Sequence, residues 1–218
     1  MTYKNILAIV TLFCLMTASA ESISAETIYD ESRNRSIPIH ISFPSDKSKC
    51  LKPSPCPVAF LSAGYGNAHT EYSFISQQLN ELGYLVVAVG HELPSDPALS
   101  LSGDLFETRS ENWRRGAYTL NYLQKRLGER FKNYDFENLL LVGHSNGGDI
   151  SAWLGNENKY YIKTIITLDH RRVPLPRNSD IHILSIRASD FPADEGVLPT
   201  KAEQKANGSC VVKIEKAR

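Results

Sequence analysis

Apolar and polar residues recur with two different periods along this chain, and these periods predict its secondary structure. Residues 26–30 and 36–44 alternate every second position and are joined by a polar link, which predicts an antiparallel hairpin. Short, largely apolar runs predict further strands at residues 58–61, 84–89, 139–142, 161–168, 181–188 and 210–215.

Apolar residues spaced by three or four positions predict helices between these strands. Such spacing runs from Tyr72 to Leu82, where Gly83 ends it, and over residues 113–127, ending near Gly128. A short helix is predicted over residues 200–205. Residues 90–110 contain two prolines and no clear period, so a long loop is predicted there. Alternating strands and helices predict a mostly parallel sheet with helices on both faces.

One strand leads into a motif with chemical meaning. Residues 139–142 are apolar and run into a Gly-x-Ser-x-Gly pentapeptide from Gly143 to Gly147, and a helix-compatible segment follows. A buried strand, a sharp turn and a helix are the context of a nucleophile elbow, with glycines where a side chain would collide with neighbouring backbone. We therefore predict that Ser145 is a nucleophile.

The N-terminal residues have the pattern of a secretion signal. Lys4 precedes an apolar run from Ile6 to Met16, and Ala18 and Ala20 supply the small residues of a cleavage site. The run is too short to span a membrane comfortably. Residues 1–20 are therefore predicted to be a signal peptide, residues 21–218 a single domain with no membrane span, and the location secreted or periplasmic.

Composition excludes some partners and leaves others open. The 24 basic and 24 acidic residues balance, so no nucleic-acid partner is predicted, and the oligomeric state stays open. No phosphate-binding glycine pattern follows a first strand, and no residues have metal-ligand spacing, so neither cofactor nor metal is predicted. Export permits disulfides, and Cys50 and Cys56 either close a small ring or remain free; Cys210 is left unpaired.

The motif at residues 143–148, the strand-to-loop segment at residues 62–65 and the acids that end two later strands resemble those of the α/β-hydrolase family. The pattern is most similar to an exported serine esterase branch that includes polyester hydrolases, and also to chlorophyllases and platelet-activating-factor acetylhydrolases. The resemblance implies an α/β-hydrolase fold over residues 21–218 and cleavage of small carboxylic esters through an acyl-enzyme.

The resemblance also implies roles for particular residues. Ser145 would attack the ester carbonyl, and the backbone N–H groups of Tyr65 and Asn146 would hold the oxyanion. Asp190 ends a strand where most of the family carries the acid of its triad, whereas Asp169 ends a strand where the chlorophyllase-like and acetylhydrolase-like branches carry it. We favour Asp190, and expect the other carboxylate to cap a loop.

The triad also needs a histidine, and none of the six stands where the family has its own, after the last strand. His144 is expected to point into the sheet. His170 neighbours Asp169 and is the nearest substitute, while His69 and His91 are expected to line the cleft without acting as a base. The resemblance thus implies a domain truncated before the catalytic histidine and the C-terminal helix.

We therefore expect a serine ester hydrolase that is inactive or nearly so in this chain. A serine peptidase or amidase on the same fold is an alternative within enzymes. A binding protein that keeps the pocket but has no base is an alternative of another class.

Overall fold

The computed structural model describes residues 24–216. The predicted signal peptide, residues 1–20, lies outside them and stays a prediction. The helices and strands of the described residues are, in chain order, β1 (Ser24–Asp30), β2 (Arg35–Ser42), β3 (Cys56–Ser62), α1 (Ser73–Glu81), β4 (Leu85–Val89), α2 (Leu105–Arg130), β5 (Tyr134–His144), α3 (Asn146–Asn156), β6 (Ile162–Leu168), β7 (His182–Ala188), α4 (Lys201–Asn207) and β8 (Cys210–Ile214).

The strands of the described residues form one mixed sheet in the order β1-β2-β4-β3-β5-β6-β7-β8. Strands β1 and β2 form the predicted antiparallel hairpin, with Ile28 opposite Ile37, and β2 is also antiparallel to β4. All other neighbours are parallel. The carboxyl ends of β3 to β7 therefore share one rim of the sheet, and the mostly parallel sheet that the sequence predicted is confirmed.

Residues of the central strands alternate between two buried clusters, one on each face. In β4, Val87 packs in the larger cluster with residues of α2 and α3, whereas Val86 packs in the smaller one with Leu79 of α1. Because successive side chains of a strand point to opposite faces, a run that is apolar throughout needs cover on both. Helices accordingly lie on both faces, as predicted.

The prediction of a long loop at residues 90–110 is wrong for its last six residues, which are helical. Helix α2 begins at Leu105 because the Asp104 carboxylate accepts hydrogen bonds from the backbone N–H groups of Phe106 and Glu107, a helix N-cap. The first turn is largely polar, so its apolar period is weak, and the pattern alone placed the helix start near residue 113.

The remaining loop is tied to the sheet by a buried ion pair. The Arg35 guanidinium of β2 donates to both carboxylate oxygens of Asp96 at 2.7 Å, and also to the carbonyl oxygen of His91 at 2.6 Å. Nε of Arg115, from α2, lies 3.7 Å from the same carboxylate. Both side chains of the Arg35–Asp96 pair are only 10% exposed, so this segment is fixed to β2 and α2.

Cys50 and Cys56 form a disulfide with their Cα atoms 4.8 Å apart, which settles the alternative that the sequence left open. The ring they close ends at the first residue of β3. Cys210 is a free, exposed thiol at the start of β8. None of the helices formed by residues 24–216 combines the length and the apolar character that crossing a membrane requires.

Candidate active site

Ser145 occupies a tight turn between β5 and α3, with an unusual backbone conformation. Its φ is +47° and its ψ is −118°, in a region that residues with a side chain rarely adopt. The turn is held by its own backbone, since the Ser145 N–H donates to Leu168 O at 2.8 Å and its carbonyl accepts from Gly148 at 2.9 Å. This is the geometry of a nucleophile elbow, which lifts the side chain out of the sheet.

The neighbouring backbone leaves no space for side chains around the elbow. A Cβ on Gly147 would lie 2.2 Å from Ser62 O, at the end of the adjacent strand β3. A Cβ on Gly64 would lie 2.9 Å from Nδ1 of His144 and 3.5 Å from Cβ of Ser145. The loop after β3 therefore approaches Ser145 closely because both segments carry glycine there.

Two backbone N–H groups beside Ser145 are left unused. Among residues 24–216, neither the N–H of Tyr65 nor that of Asn146 donates to another protein group. Tyr65 follows Gly64, and Asn146 is the first residue of α3, where helical N–H groups lack partners. Both residues line the same cavity as Ser145. The arrangement offers two donors for a developing oxyanion.

The Asn146 side chain is fixed by a buried hydrogen-bond network that the sequence did not reveal. Its Oδ1 accepts from the indole N–H of Trp113 at 2.8 Å, and its Nδ2 donates to Asn112 Oδ1 at 2.9 Å and to Glu92 Oε1 at 3.2 Å. Burial raises the pKa of Glu92. Helix α2 and the loop after β4 thus set the orientation of the residue that follows Ser145.

Asp149, in the first turn of α3, holds the loop that follows β6. Its Oδ1 accepts from the N–H groups of Arg171, Arg172 and Val173, at 3.3, 2.8 and 2.9 Å. Burial raises the pKa of Asp149 to about 6, although these hydrogen bonds favour its charged form. A loop from a neighbouring strand is thereby fastened to the elbow helix.

The two candidate acids both follow strands at the Ser145 rim but differ in their contacts. Asp169, with φ +51°, accepts the N–H of Ala188 at 2.7 Å, and its Oδ1 lies 3.9 Å from Nε of Arg187. It thereby joins the ends of β6 and β7. Asp190 is exposed in the turn after β7 and makes no side-chain hydrogen bond or ion pair within residues 24–216.

All six histidines are described, and none is hydrogen-bonded to the Ser145 hydroxyl within residues 24–216. His144 does not point into the sheet as expected. It is half-buried and lines the cavity with Ser145, and its Nδ1 lies 2.5 Å from the Tyr72 hydroxyl. Burial lowers the pKa of His144, and the charge of Asp169 partly opposes that shift.

The other histidines lie away from the Ser145 cavity. His170 is fully buried with both ring nitrogens unpartnered among residues 24–216, and burial lowers its pKa to about 3. His91 Nε2 lies 2.9 Å from Ser62 Oγ. His69 and His91 line a neighbouring cavity of about 370 Å³ rather than the cavity that contains Ser145. His40 lies in β2 and His182 begins β7.

The Ser145 cavity has a volume of about 320 Å³. Tyr65 and Phe191 supply rings, Leu99 and Leu101 come from the loop after β4, and the remaining polar residues include three arginines. The Tyr65 hydroxyl accepts the N–H of Leu99 at 3.1 Å, which closes one wall. Among residues 24–216 no group of three or more His, Cys, Asp or Glu side chains is placed to hold a metal ion.

Solved structures share this architecture. A ferulic acid esterase from Streptomyces cinnamoneus superposes with a TM-score of 0.62 at 18% identity, over 91% of this chain and 75% of that chain. An S-formylglutathione hydrolase from Agrobacterium tumefaciens gives a TM-score of 0.62 at 15% identity, over 88% and 86%. The chain has the α/β-hydrolase fold.

A third α/β-hydrolase-like neighbour is a dienelactone hydrolase-like promiscuous phosphotriesterase from metagenomic libraries. It gives a TM-score of 0.62 at 19% identity, over 89% of this chain and 82% of that chain. No protein-family model and no curated protein sequence matches this chain. At these identities the likeness establishes the fold, and the chemistry has to be argued from the site.

Proposed function

We propose that this chain is built for acyl transfer from small carboxylic esters to Ser145. The observation that carries this proposal is the strained backbone of Ser145 beside two unused N–H donors, those of Tyr65 and Asn146, at one cavity. Strained backbone persists only where surrounding structure enforces it, and such strain clusters at active sites. The fold that the chain shares with a ferulic acid esterase and an S-formylglutathione hydrolase supports the same reaction class.

The reaction would follow the ordinary serine hydrolase course. Ser145 Oγ adds to the ester carbonyl, and the charge that develops on the carbonyl oxygen is held by the N–H groups of Tyr65 and Asn146. The Ser145 hydroxyl proton passes to solvent or to added imidazole, the leaving oxygen takes up a proton from the same source and departs as the alcohol, and the acyl group remains on Ser145. Water releases the acid in a second addition at the same carbonyl carbon.

We further propose Asp190 as the acid of the triad and Asp169 as a structural carboxylate. Asp169 already holds the Ala188 N–H and lies beside Arg187, so it joins two strand ends. Asp190 is exposed, and its carboxylate makes no hydrogen bond or ion pair within the described residues, so it is available to bind a histidine. Because none of the described histidines is hydrogen-bonded to Ser145, the acid is tested in the presence of added imidazole. Loss of the imidazole-dependent activity in Asp190→Asn with retention in Asp169→Asn supports this assignment, and the reverse pattern overturns it.

The proposed site lacks a base among the six histidines. His144, which lies nearest, engages the Tyr72 hydroxyl through Nδ1, and His170 is enclosed in the core. A serine hydrolase without its triad histidine retains roughly 10³- to 10⁴-fold acceleration over water from the oxyanion hole and binding. We therefore expect these 218 residues to release p-nitrophenol from p-nitrophenyl acetate only slowly.

A chemical rescue experiment tests both parts of this proposal. Purified protein and Ser145→Ala are compared for p-nitrophenyl acetate cleavage with and without added imidazole, and for labelling of Ser145 by a fluorophosphonate. We expect slow, Ser145-dependent acylation that imidazole accelerates. Equal rates for both proteins overturn the esterase proposal. Rapid turnover without imidazole overturns the conclusion that the site lacks a base.

A second candidate is a binding protein that keeps the pocket without catalysis, and the absence of a histidine at Ser145 among the described residues favours it. A binding protein of this kind predicts no fluorophosphonate labelling of Ser145 above that of denatured protein.

An amidase is distinguished from an esterase by comparing the rates at which matched p-nitrophenyl esters and p-nitroanilides are cleaved.

We also propose that the protein acts outside the cytoplasm, as a member of an exported esterase branch. The apolar segment before Ala20 and the Cys50–Cys56 disulfide support this location. Finding Glu21 as the N-terminal residue of protein recovered from the periplasm or medium would bear this out, and retention of an uncleaved chain in the cytoplasm would contradict it.

A further inference from the structure

Three arginines line the cavity that contains Ser145. Arg109 comes from α2, and Arg171 and Arg172 come from the loop after β6. Asp149 is the single acidic residue among the described residues that line it. Its Oδ1 already accepts three backbone N–H groups, and it forms no ion pair with an arginine of the described residues. The charges facing this cavity are therefore mainly positive.

Arg109 and Arg171 are held in the same way, each through its Nε. Nε of Arg109 donates to Ser100 O at 2.8 Å, and Nε of Arg171 donates to Pro192 O at 3.1 Å. The Arg171 guanidinium also lies 5.6 Å from the centre of the Phe191 ring. Within residues 24–216 their terminal nitrogens meet no acceptor, and no carboxylate lies within ion-pair distance. Both are thus anchored at Nε while their donor-rich ends stay unpaired.

Arg172 is more constrained. Its Nη1 pairs with Asp194, while its Nε is buried without a partner among the described residues. Its backbone N–H, like that of Arg171, is held by Asp149 of the elbow helix. The position of both arginines is therefore coupled to the helix that begins at Ser145.

Arg172 is paired with Asp194, but Arg109 and Arg171 form no ion pair within the described residues, and grouping them with Arg172 around one cavity is unfavourable. Burial lowers the pKa of Arg109, and the nearby charges of Arg172 and Arg171 lower it further, against the opposing effects of Asp149 and Asp194. A bound anion would turn this repulsion into attraction and would satisfy the unused donors. Arginine suits this role because its planar fork matches the two oxygens of a carboxylate.

We propose that the ester bound at Ser145 carries a second group, a carboxylate, which binds to the terminal nitrogens of Arg109 and Arg171. This inference rests on the proposed ester hydrolysis and narrows it to anionic esters. The cavity holds both the proposed nucleophile and the arginines within about 320 Å³, so one small molecule reaches both. A neutral ester would leave the arginines unpaired.

Matched substrates test the proposal by turnover. One pair places the charge on the acyl side, mono(4-nitrophenyl) glutarate against 4-nitrophenyl pentanoate; the other places it on the alcohol side, 4-acetoxybenzoate against 4-acetoxybenzamide. Ser145-dependent kcat/KM should favour the anionic member of at least one pair by about 10-fold or more, the contribution of one charge-assisted hydrogen bond. Arg109→Gln and Arg171→Gln should remove the preference, and the exposed control Arg126→Gln should keep it. Equal rates within both pairs, or a preference that survives both substitutions, overturn it.

Binding separates this inference from the esterase proposal. Calorimetry on Ser145→Ala compares glutarate monoamide with pentanamide, and 4-acetamidobenzoate with 4-acetamidobenzamide. If no Ser145-dependent turnover is found, the esterase proposal fails, and a 10-fold tighter Kd for an anionic member that depends on Arg109 and Arg171 still supports the anion site. Equal affinity, or no saturable binding of either anion, overturns the anion site whatever the turnover shows.

Discussion

The Tyr72 hydroxyl oxygen lies 2.5 Å from Nδ1 of His144, the residue that precedes Ser145. Their rings are also in contact, with centroids 5.5 Å apart. This pair joins the segment before α1 to the elbow and gives the His144 ring a fixed partner. His144 lines the cavity, but no hydrogen bond joins its ring to the Ser145 hydroxyl within the described residues, so we assign it to the cavity wall.

Replacing Tyr72 by Phe removes the contact with His144 and also an exposed hydrogen bond that the Tyr72 hydroxyl accepts from Asn67 at 3.0 Å. The protein should be destabilised by about 1 kcal/mol, the usual net value of one hydrogen bond, and most of that loss should come from the half-buried His144 contact. Urea unfolding of the two proteins measures the difference. Tyr118→Phe is the control, because the Tyr118 ring packs against Arg33 and its hydroxyl makes no hydrogen bond within residues 24–216. Equal stability of Tyr72→Phe and wild type would show that this contact contributes nothing.

Buried histidines should make the protein acid-sensitive. Burial lowers the pKa of His91 and of His170 to about 3, from an unfolded value near 6.5. Between these values the unfolded chain binds protons that the folded one does not, so stability falls as pH falls, by about 1.4 kcal/mol per pH unit for each histidine. Asp149, raised to about 6, acts in the opposite direction between pH 6 and about 4, because its folded form binds the proton first.

His170→Phe should therefore reduce the loss of stability between pH 6 and pH 4 by about 1.4 kcal/mol per pH unit. It also removes two ring nitrogens that have no partner among the described residues. Urea unfolding at four pH values gives the slope, and His182→Phe, at an exposed position of β7, is the control. A slope unchanged by His170→Phe would mean that His170 stays solvated.

Gly147→Ala should disrupt the elbow. The new Cβ would lie 2.2 Å from Ser62 O and 2.5 Å from Ala63 O, and both are backbone atoms that cannot rotate away. A loss of at least about 3 kcal/mol, or failure to fold, is expected. Gly128→Ala is the matched control, because its Cβ would meet the Phe136 side chain at 3.2 Å, and it should change stability by less than about 1 kcal/mol. Similar stabilities for the two variants would contradict the elbow packing.

Asp96→Ala should cost about 3 kcal/mol, because it leaves the buried Arg35 guanidinium without its carboxylate. Chemical unfolding measures this loss, and Glu129→Ala serves as control. Glu129 pairs with Arg126 at 3.7 Å with both side chains more than 60% exposed, and such pairs contribute less than about 1 kcal/mol. If the two variants lose the same stability, the Arg35–Asp96 pair does not anchor the loop.

The features that the sequence predicted correctly are those set by residues close together in the chain. The glycines around Ser145 were informative because the turn has no space for a Cβ, and the apolar run of β4 was informative because both of its faces are covered. The start of α2 is also encoded locally, by Asp104 three residues before Glu107, but a polar cap of this kind does not contribute to the apolar spacing that predicts helices.

Contacts between distant loops could not be predicted in this way. Trp113 reaches Asn146, and Arg109 joins Arg171 at one cavity, only because α2 packs beside α3 and two strand ends share a rim. In the sequence, none of these residues differs from those of an ordinary helix or loop, so nothing local indicates the contact. Asp169 is a similar case, since its contacts with the end of β7 become visible only once β6 and β7 are paired.

The backbone of Ser145 also has a thermodynamic consequence. A side chain at φ +47° raises the energy of the folded state by about 1 to 3 kcal/mol, and glycine would relieve most of that strain. Ser145→Gly should therefore give a more heat-resistant protein than Ser145→Ala, which keeps the strain. A sequence optimised for folding alone would place glycine at position 145, so serine at this position lowers the stability of the folded protein.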